Sequence, residues 1–310
     1  MIGIYQNREI YINKSNLVAK HWENIQKLSY SRYYLKKEDN YENLDFDKFK
    51  NLLLNINIDF EDVVKADINR IKNIYLENDI KDSINSLQIY KNNKSEDQYT
   101  EINIFDELYK EFRKKYGMEY VNNLKLSVCP YCNRNYINSG KKVTMAEFDH
   151  FYPKSKYPHL ALSFFNLVPC CHTCNHTKHN KTINVNPHDD KYSTDNIIQF
   201  DYVPIPSNKE NKNDYEIGVE SLNDDMNDNI KVFQLKEQYA IHKNIIDDMK
   251  LKAEIFNEVY KDSLRKILDN SSIDRSIEEV YYESYFKEDK YYLSPLSKFK
   301  HDIYCQIKKR

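Results

Sequence analysis

Cys129-Pro-Tyr-Cys132 and Cys171-His-Thr-Cys174 are two C-x-x-C pairs, and they decide how the middle of this chain folds. A two-residue gap lets both thiolates of a tight turn point at one ion, so two such pairs predict a closed, structural, tetrahedral zinc site. The binding energy of such a site is in effect folding energy. Redox chemistry is the weaker interpretation because two pairs are present. Cys170 is interpreted as a small buried side chain rather than a further ligand.

The composition is that of a polar protein with ample core-forming material. Its 310 residues are 40% hydrophobic and 30% charged, and include 27 Tyr and 14 Phe, with a mean hydropathy of −0.82. No apolar run is long enough to span a membrane, and the first residues do not resemble a secretory signal. We therefore expect a cytoplasmic protein without a disulfide framework. The four glycines are far apart and build no phosphate-binding loop, so any nucleotide hydrolysis has to come from a partner.

Charge is distributed unevenly along the chain. The net charge is −2, which gives the chain as a whole no electrostatic preference for nucleic acid. Residues 133–192, in contrast, carry eight basic and four acidic side chains, together with six of the nine histidines. We expect the chemistry of the protein to lie in this window.

The 38 residues between the two cysteine pairs form an insert longer than that of a simple zinc ribbon. The insert contains Glu147-Phe-Asp149-His150 and Asn166, and Asn175 directly follows the second pair. Residues 143–151 are aromatic and β-branched, which predicts a hairpin strand, and residues 173–181 open with small polar residues typical of a helix start. Two strands and a helix held by zinc at both ends would frame one cleft.

The order of these elements resembles that of the HNH, or ββα-metal, nucleases. The resemblance covers residues 124–187, about a fifth of the chain. Within it, His150–Pro158 and Asn166–Asn175 are similar to the HNH component of bacterial antiphage defence systems of the Septu type, including those attached to retrons. In that family an ATPase of the ABC or SMC-like type accompanies the nuclease, so the resemblance implies a separate ATPase partner.

The residue types in this segment suit metal-dependent hydrolysis of a phosphodiester. Asp149 offers a carboxylate oxygen and Asn175 a carbonyl oxygen, and this donor set suits Mg²⁺ or Mn²⁺ completed by waters and substrate phosphate. His150 would be the general base that takes a proton from the attacking water. Asp149 and His150 are neighbours that point to opposite sides of an extended strand, so they share a site only if the strand twists or ends there, as it does in the family.

Three further residues each have a functional and a structural interpretation. Asn166 either holds the His150 loop and ring by hydrogen bonds or merely caps a turn. Asn175 is either a metal ligand or only the N-cap of a helix. His179 lies four residues after Asn175 on the expected helix, so it is either a second metal ligand or a surface histidine.

Charged residues near these positions are candidates for contact with the substrate. Lys178, which matches a lysine of the family, and Lys154 are candidate contacts to substrate phosphate, and Lys156 is similar; the alternative for each is a solvated charge. Glu147 is interpreted as a structural charge rather than a ligand of a second metal. Residues 186–190 are interpreted as a turn.

The remainder of the chain is predicted to be mostly helical. Apolar residues recur at helical spacing from residue 105 to 116 and stop at Gly117, which predicts the end of a helix there. Residues 43–92 give two or three similar amphipathic stretches. Residues 91–99 and 207–214 have the composition of linkers.

A largely apolar stripe runs from Leu235 to Ile267 in steps of three and four and predicts one long helix. We expect this stripe to pack on its own chain, the alternative being a docking surface for a partner helix. The tyrosine clusters at residues 281–292 are expected to be buried between helices rather than to stack on bases.

The sequence therefore predicts an α+β protein in which helical regions surround a zinc-stapled ββα-metal core. The expected regions are 1–104 (helical), 105–192 (zinc-binding nuclease core) and 193–310 (helical). Homo-oligomer formation is left open.

Three functions are compatible with the sequence. The first is a DNA-cleaving nuclease effector of a bacterial antiphage defence system that works with a separate ATPase. The second is a stand-alone restriction or mobile-element HNH nuclease. The third is a non-catalytic zinc module that binds nucleic acid or protein. The weak overall charge implies that DNA binding needs a partner or a narrow basic groove.

Overall fold

The computed structural model of the chain describes residues 1–38, 40–76, 78–93, 98–137, 140, 144–205, 215–268 and 287–309. Helices and short sheets alternate along these residues, so the predicted α+β class is confirmed. No helix among the described residues is both long and apolar enough to cross a lipid bilayer.

The helices of the described residues are mostly short, and many begin at an Asn or Asp that caps the first turn, as Asn103 does for the longest. In chain order they are α1 (Arg8–Ile12), α2 (Lys14–Gln26), α3 (Phe46–Leu54), α4 (Phe60–Lys65), α5 (Ile68–Arg70), α6 (Asn78–Asn85), α7 (Ile104–Asn123), α8 (His172–Lys178), α9 (Thr194–Ile197), α10 (Met226–Val232), α11 (Leu235–Tyr239), α12 (Lys243–Ile255), α13 (Glu258–Leu268) and α14 (Ser297–Lys308).

The strands form three antiparallel sheets. They are β1 (Tyr33–Lys37), β2 (Asn40–Asn43), β3 (Ile89–Asn93), β4 (Gln98–Glu101), β5 (Glu147–His150), β6 (Leu167–Cys170), β7 (Ile198–Pro204) and β8 (Tyr215–Ser221). The first sheet has the order β2-β1-β3-β4, and the others are the pairs β5-β6 and β7-β8.

The N-terminal region differs from the prediction, because it contains a four-stranded sheet as well as helices. Residues 91–99, predicted to be a linker, contribute to β3 and β4, with 94–97 outside the described residues. The predicted linker at 207–214 lies outside the described residues. One hydrophobic core cluster includes residues of all three predicted regions, among them Met1, Phe112 and Phe299.

Helix α7 packs against the sheet β5-β6 and continues past Gly117, which corrects the prediction that the helix ends there. A Cβ atom added at Gly117 would lie 3.2 Å from Cε2 of Phe148, a buried residue that precedes Asp149 on β5. The glycine is therefore explained by the close approach of the Phe148 ring rather than by a helix end. The helix ends instead after Asn123.

The apolar stripe of the C-terminal region is divided among three helices instead of one. A 3₁₀ turn at Ala240–His242 separates α11 from α12, and Asn257 starts α13 by accepting a hydrogen bond from the backbone N–H of Tyr260. Leu235, Tyr239, Ile246, Met249 and Phe256 of the stripe are buried. This part of the stripe packs on its own chain. Of the tyrosine clusters, Tyr291 is fully buried, and residues 281–286 lie outside the described residues.

Candidate active site and zinc centre

The four thiols of the two C-x-x-C pairs form one buried cluster. Their sulfur atoms all lie within 4.8 Å of one another, and the Sγ atoms of Cys132 and Cys171 are 3.9 Å apart. A tetrahedral site with Zn–S bonds of 2.3 Å places neighbouring sulfurs about 3.8 Å apart. The residues present therefore fit a zinc ion, and the donor set of four thiols favours zinc over Mg²⁺ or Ca²⁺.

Hydrogen bonds to two of the sulfurs support this interpretation. The backbone N–H of Arg134 lies 3.4 Å from Sγ of Cys132, and the Asn135 amide nitrogen lies 3.3 Å from Sγ of Cys171. Such N–H donors stabilise thiolate ligands in metal centres. Cys170 is fully buried and does not belong to the cluster.

A second group of metal-capable side chains, Asp195, His301 and Asp302, lies in the C-terminal region. Nζ of Lys298 is 2.8 Å from an oxygen of Asp195 and 2.7 Å from an oxygen of Asp302. Because an ammonium group already pairs with both carboxylates, this group is a structural ion-pair cluster.

Strands β5 and β6 and helix α8 form a ββα unit whose ends are tied to the thiol cluster. In the strand pair, His150 lies opposite Leu167 and Glu147 lies opposite Cys170, so β6 runs directly into the second cysteine pair. Strand β5, Glu147–His150, is shorter than the strand predicted over residues 143–151. Helix α8 also ends earlier than predicted, at Lys178.

His150 lies at the end of β5 and is 8% exposed. Its Nε2 atom is 3.1 Å from the carbonyl oxygen of Ala161, and its ring makes an edge contact with Tyr109 at 4.6 Å between centroids. A carbonyl only accepts, so Nε2 carries the proton and Nδ1 is the basic atom. None of the described residues hydrogen bonds to Nδ1. Burial lowers the pKa of His150 to about 3, so the ring is neutral.

Asn166 ties together the loop that follows His150. Its amide nitrogen donates to the carbonyls of Tyr152 and Leu160 at 3.1 and 3.0 Å, and its side-chain oxygen accepts from the backbone N–H of Tyr152 at 2.7 Å. These are the contacts that a loop-holding role requires, but the His150 ring is held by Ala161 and not by Asn166.

Asp149 points away from solvent and has a protein partner at each oxygen. Nζ of Lys178 is 3.0 Å from Oδ1, and the Tyr131 hydroxyl donates to Oδ2 at 2.6 Å. Burial raises the pKa of Asp149, and the Lys178 ammonium and the Tyr131 hydroxyl oppose the rise. The carboxylate is 3% exposed and hydrogen bonded within the protein, and its predicted role as a metal ligand remains a prediction.

Lys178 is the one clear correction among the predicted substrate contacts. Its side chain is 0% exposed, and its ammonium donates both to Asp149 and, at 2.8 Å, to the backbone carbonyl of His150. A charge held in this way cannot meet a substrate phosphate, so the prediction of a phosphate contact is wrong for this conformation.

An open groove of about 380 Å³ lies along β5 and α8. Two groups of side chains line it. One is a polar cluster of Glu147, His172 and Asn175, and the other consists of further imidazole and cationic side chains. The lining residues include Tyr109, Arg113, Glu147, Asp149, His150, Lys154, His172, Asn175, His176 and His179. The groove therefore combines a histidine base, oxygen donors and cationic side chains, which is what metal-assisted hydrolysis of an anionic ester requires.

Glu147 is at the centre of the polar cluster. Its two oxygens lie 2.8 Å from Nδ1 of His172 and 2.7 Å from the amide nitrogen of Asn175. Partial burial opposes ionisation, but the hydrogen bonds from Asn175 and His172 lower the pKa of Glu147. Asn175 thus lies in the groove, where its predicted metal role remains a prediction.

The other predicted residues lie on the rim of the groove. His179 is exposed and forms the C-cap of α8 with a φ of +46°, so it lines the groove from just beyond the helix. Lys154 is 2.7 Å from Asp106 and lies over the Tyr109 ring, whereas Lys156 lies over the ring of Tyr157.

Comparison with protein families matches residues 129–181 to the model described as HNH endonuclease. This segment is an HNH domain. It spans both cysteine pairs, the ββα unit and the loop held by Asn166. Comparison with curated proteins gives no significant match, and comparison with solved structures gives none either. An HNH domain supports a nuclease that uses a divalent metal and acts on nucleic acid.

Sequence reasoning missed several residues around the HNH domain. Tyr131 lies between Cys129 and Cys132, and nothing in the spacing of the thiols indicates that its hydroxyl donates to Asp149. Tyr109 and Arg113 reach the groove from α7, which is far from the motif in sequence. Their spacing of four residues does indicate that they share one face of that helix. His172 and His176 repeat the same spacing on α8.

Proposed function

We propose that this chain is a metal-dependent HNH endonuclease that hydrolyses DNA phosphodiester bonds as the nuclease effector of a bacterial antiphage defence system. It retains zinc at Cys129, Cys132, Cys171 and Cys174, uses Mg²⁺ or Mn²⁺ in the groove, and works with a separate ATPase. The resemblance of His150–Pro158 and Asn166–Asn175 to the Septu-type component supports the defence role.

The observation that carries the nuclease proposal is the state of His150. Its Nε2–H is committed to the Ala161 carbonyl, so a neutral imidazole with its basic Nδ1 is fixed at a groove that also holds oxygen donors. Such a ring accepts a proton from water without first having to lose one. The edge contact with Tyr109 restricts rotation of the ring.

Each remaining residue has a role that follows from its contacts. Asn166 holds the loop from Tyr152 to Leu160, which carries the carbonyl partner of His150. Asn175 offers an amide oxygen to a divalent ion, which when bound would polarise the phosphate and stabilise the leaving oxygen. Lys154 and Arg113 lie beside the groove and would attract the nucleic-acid backbone.

Zinc supports this arrangement mechanically. The first cysteine pair precedes β5 and the second lies at the start of α8, so tetrahedral coordination would fix the start of α8 relative to the turn that carries Tyr131. Zinc with four thiolate ligands has no open position, so it is a structural ion and not the reacting one.

The test of the nuclease proposal is plasmid nicking by the purified, zinc-loaded chain in Mg²⁺ or Mn²⁺. We expect the wild type to nick supercoiled DNA and His150→Ala to lose activity by on the order of 10²–10⁴-fold, with unchanged zinc content. Lys236→Ala, at an exposed position of α11 outside the groove, is the control and should keep wild-type activity. Equal nicking by His150→Ala and the control would refute the assignment of the base.

The defence role has a separate test. Cells that express the chain together with an ATPase encoded beside it should resist phage, and cells that express either protein alone should not. Loss of resistance in His150→Ala would tie protection to nuclease chemistry. Full resistance without any ATPase would favour the stand-alone nuclease instead. DNA binding without nicking in any divalent metal would favour the non-catalytic zinc module.

A further inference from the structure

The carbonyl that accepts from His150 belongs to a short turn that is held by side chains from outside it. This 3₁₀ turn, Pro158–Leu162, is buried along its whole length. Its last three carbonyls each accept from a side chain: Leu160 from Asn166 at 3.0 Å, Ala161 from His150 at 3.1 Å and Leu162 from His21 at 2.8 Å. Carbonyls at the end of a helical turn lack partners within it, so these side chains supply the donors there.

His21 is the distant member of this set of donors. It lies on α2, outside the segment matched to the HNH model and 141 residues before Leu162 in the chain. Because a carbonyl only accepts, Nε2 of His21 carries the proton. Burial lowers the pKa of His21 to about 4, so the ring is neutral. His21 is therefore a neutral donor to the turn that carries the acceptor for His150.

The surroundings of His21 would suit a purely apolar ring. The rings of Phe112, Tyr120 and Phe164 meet it edge-on, at 5.0, 5.4 and 5.5 Å between centroids. Its Nδ1 atom is buried and has no hydrogen-bond partner among the described residues. A buried acceptor without a donor costs free energy, and a phenyl ring would avoid that cost. The hydrogen bond to Leu162 is thus what the histidine adds at this position.

The hydrogen bond from His21 acts on the His150 ring through one residue of the turn. The carbonyls of Ala161 and Leu162 belong to consecutive planar peptide units, which are joined by the two dihedral angles of Leu162. Holding the second carbonyl restricts these angles and therefore the direction of the first. The first carbonyl is the acceptor that keeps the proton of His150 on Nε2 and leaves Nδ1 basic.

We propose that His21 is a positioning residue, which holds the Leu162 carbonyl so that the Ala161 carbonyl points at His150 and sets the tautomer and direction of that imidazole. His21 is not among the residues that line the groove, so it acts through the turn and not on the substrate. A residue of the N-terminal region thereby completes the site of the HNH domain. The proposal rests on the proposed nuclease function, because it concerns the ring that acts there as the base.

Two substitutions of His21 in the zinc-loaded full chain separate the hydrogen bond from packing. His21→Phe keeps a ring among the aromatic neighbours but donates nothing, whereas His21→Gln offers an amide N–H to the Leu162 carbonyl. Imidazole nitrogen chemical shifts report the tautomer of each histidine, and the signals of His150 are those missing from His150→Ala. We expect the Nε2–H tautomer of His150 in the wild type and in His21→Gln, and a mixture of both tautomers in His21→Phe.

The rate of plasmid nicking gives a second measurement on the same variants. His21→Phe should lose about tenfold in kcat, with an unchanged KM for DNA because no substrate contact is removed. His21→Gln should recover most of this loss. Tyr30→Phe is the matched control, since it removes another buried hydrogen bond of the N-terminal region, from the Tyr30 hydroxyl to the Ile25 carbonyl, and it should nick as the wild type does.

Three results would overturn the positioning role. The first is a pure Nε2–H tautomer of His150 in His21→Phe, and the second is wild-type kcat in that variant. The third is an equal loss of kcat in His21→Phe and in either His21→Gln or Tyr30→Phe, because the loss would then not come from this hydrogen bond.

The chemical shifts distinguish failure of this proposal from failure of the nuclease function. If the wild type nicks DNA and His150 keeps its tautomer in His21→Phe, the positioning role is wrong and the nuclease function stands. If the wild type never nicks DNA and His150 changes its tautomer in His21→Phe, the nuclease function is wrong and the connection from His21 to the His150 ring stands.

Discussion

The buried pair Lys178–Asp149 makes a quantitative prediction about stability. The side chains are 0% and 3% exposed, and Lys178→Met removes the ammonium while keeping a side chain of similar length. Asp149 would then remain buried with Tyr131 as its one donor among the described residues. Removing one partner of a buried ion pair costs about 3–5 kcal/mol, because the other charge stays uncompensated. We expect a loss of this size in the free energy of unfolding.

The double variant with Asp149→Asn separates the charge effect from packing. With both charges removed, the main remaining loss is the hydrogen bond from Lys178 to the His150 carbonyl. A buried acceptor left without its donor costs about 1–3 kcal/mol. The double variant should therefore be more stable than Lys178→Met alone, and the two substitutions should couple strongly in a double-mutant cycle.

Urea denaturation of the zinc-loaded chain, followed by tyrosine and tryptophan fluorescence, measures these differences. Lys181→Met, an exposed lysine just beyond α8, is the control and should change the free energy of unfolding by less than about 0.5 kcal/mol. If Lys178→Met were as stable as this control and instead weakened DNA binding, Lys178 would be a phosphate contact after all. The argument from burial would then be refuted.

Three further outcomes follow from the structure. Cys132→Ser should lower the zinc content measured by atomic absorption and loosen the HNH domain, because one of four converging thiols is lost; full zinc content would contradict the tetrathiolate. Asn166→Ala removes three hydrogen bonds from the loop after His150, so nicking should fall by at least about tenfold with zinc retained, and an unchanged rate would show that the loop needs no tie. Burial lowers the pKa values of His21 and His159 to about 4, so the unfolded chain binds more protons than the folded chain between pH 6.5 and 4. The free energy of unfolding should therefore decrease as the pH is lowered from 6.5 to 4, by up to about 3 kcal/mol per histidine. The slope of this free energy against pH should be smaller in His159→Gln than in the wild type, and an equal slope would contradict the burial argument.

The zinc centre and the ββα unit could be predicted from sequence because their chemistry is local. Each C-x-x-C pair identifies its two ligands within four residues, and the two pairs together predict a tetrahedral site. The thiols of Cys129, Cys132, Cys171 and Cys174 do form one cluster. The order of strand, loop asparagine and helix also followed, since β6 runs into the second cysteine pair and α8 begins within it.

Features that depend on partners distant in sequence could not be predicted in this way. Glycine is typical of a helix end, but α7 continues past Gly117. The glycine is required because a Cβ atom there would crowd the ring of Phe148, on a strand that is distant in sequence. The strands β3 and β4 bury little apart from Ile89, and their half-buried tyrosines pack on tyrosines of other strands, as Tyr99 of β4 does on Tyr41 of β2 at 3.7 Å between ring centroids. Such segments have the composition of a linker.

Lys178 lies in surroundings that its residue type did not suggest, and burial is the physical reason. A lysine after a metal-binding motif is usually solvated, yet this one lies over a buried carboxylate whose position depends on β5 pairing with β6. Asp149 and Glu147 both line the groove, but the side chain of Asp149 is 3% exposed and that of Glu147 is 30% exposed. Sequence identifies the candidate groups, but only their depth in the fold decides which one meets solvent.

Tyr131 connects these observations, because it belongs to the zinc centre and to the buried pair at once. It lies between Cys129 and Cys132, and its hydroxyl donates to Asp149, which in turn pairs with Lys178 at the end of the helix that contains Cys174. One hydrogen bond therefore joins the turn of the first cysteine pair to the strand that ends in His150, and a second joins that strand to α8. On the proposed nuclease function, this connection lets a zinc ion held by the four thiols influence the direction of the His150 imidazole towards the groove.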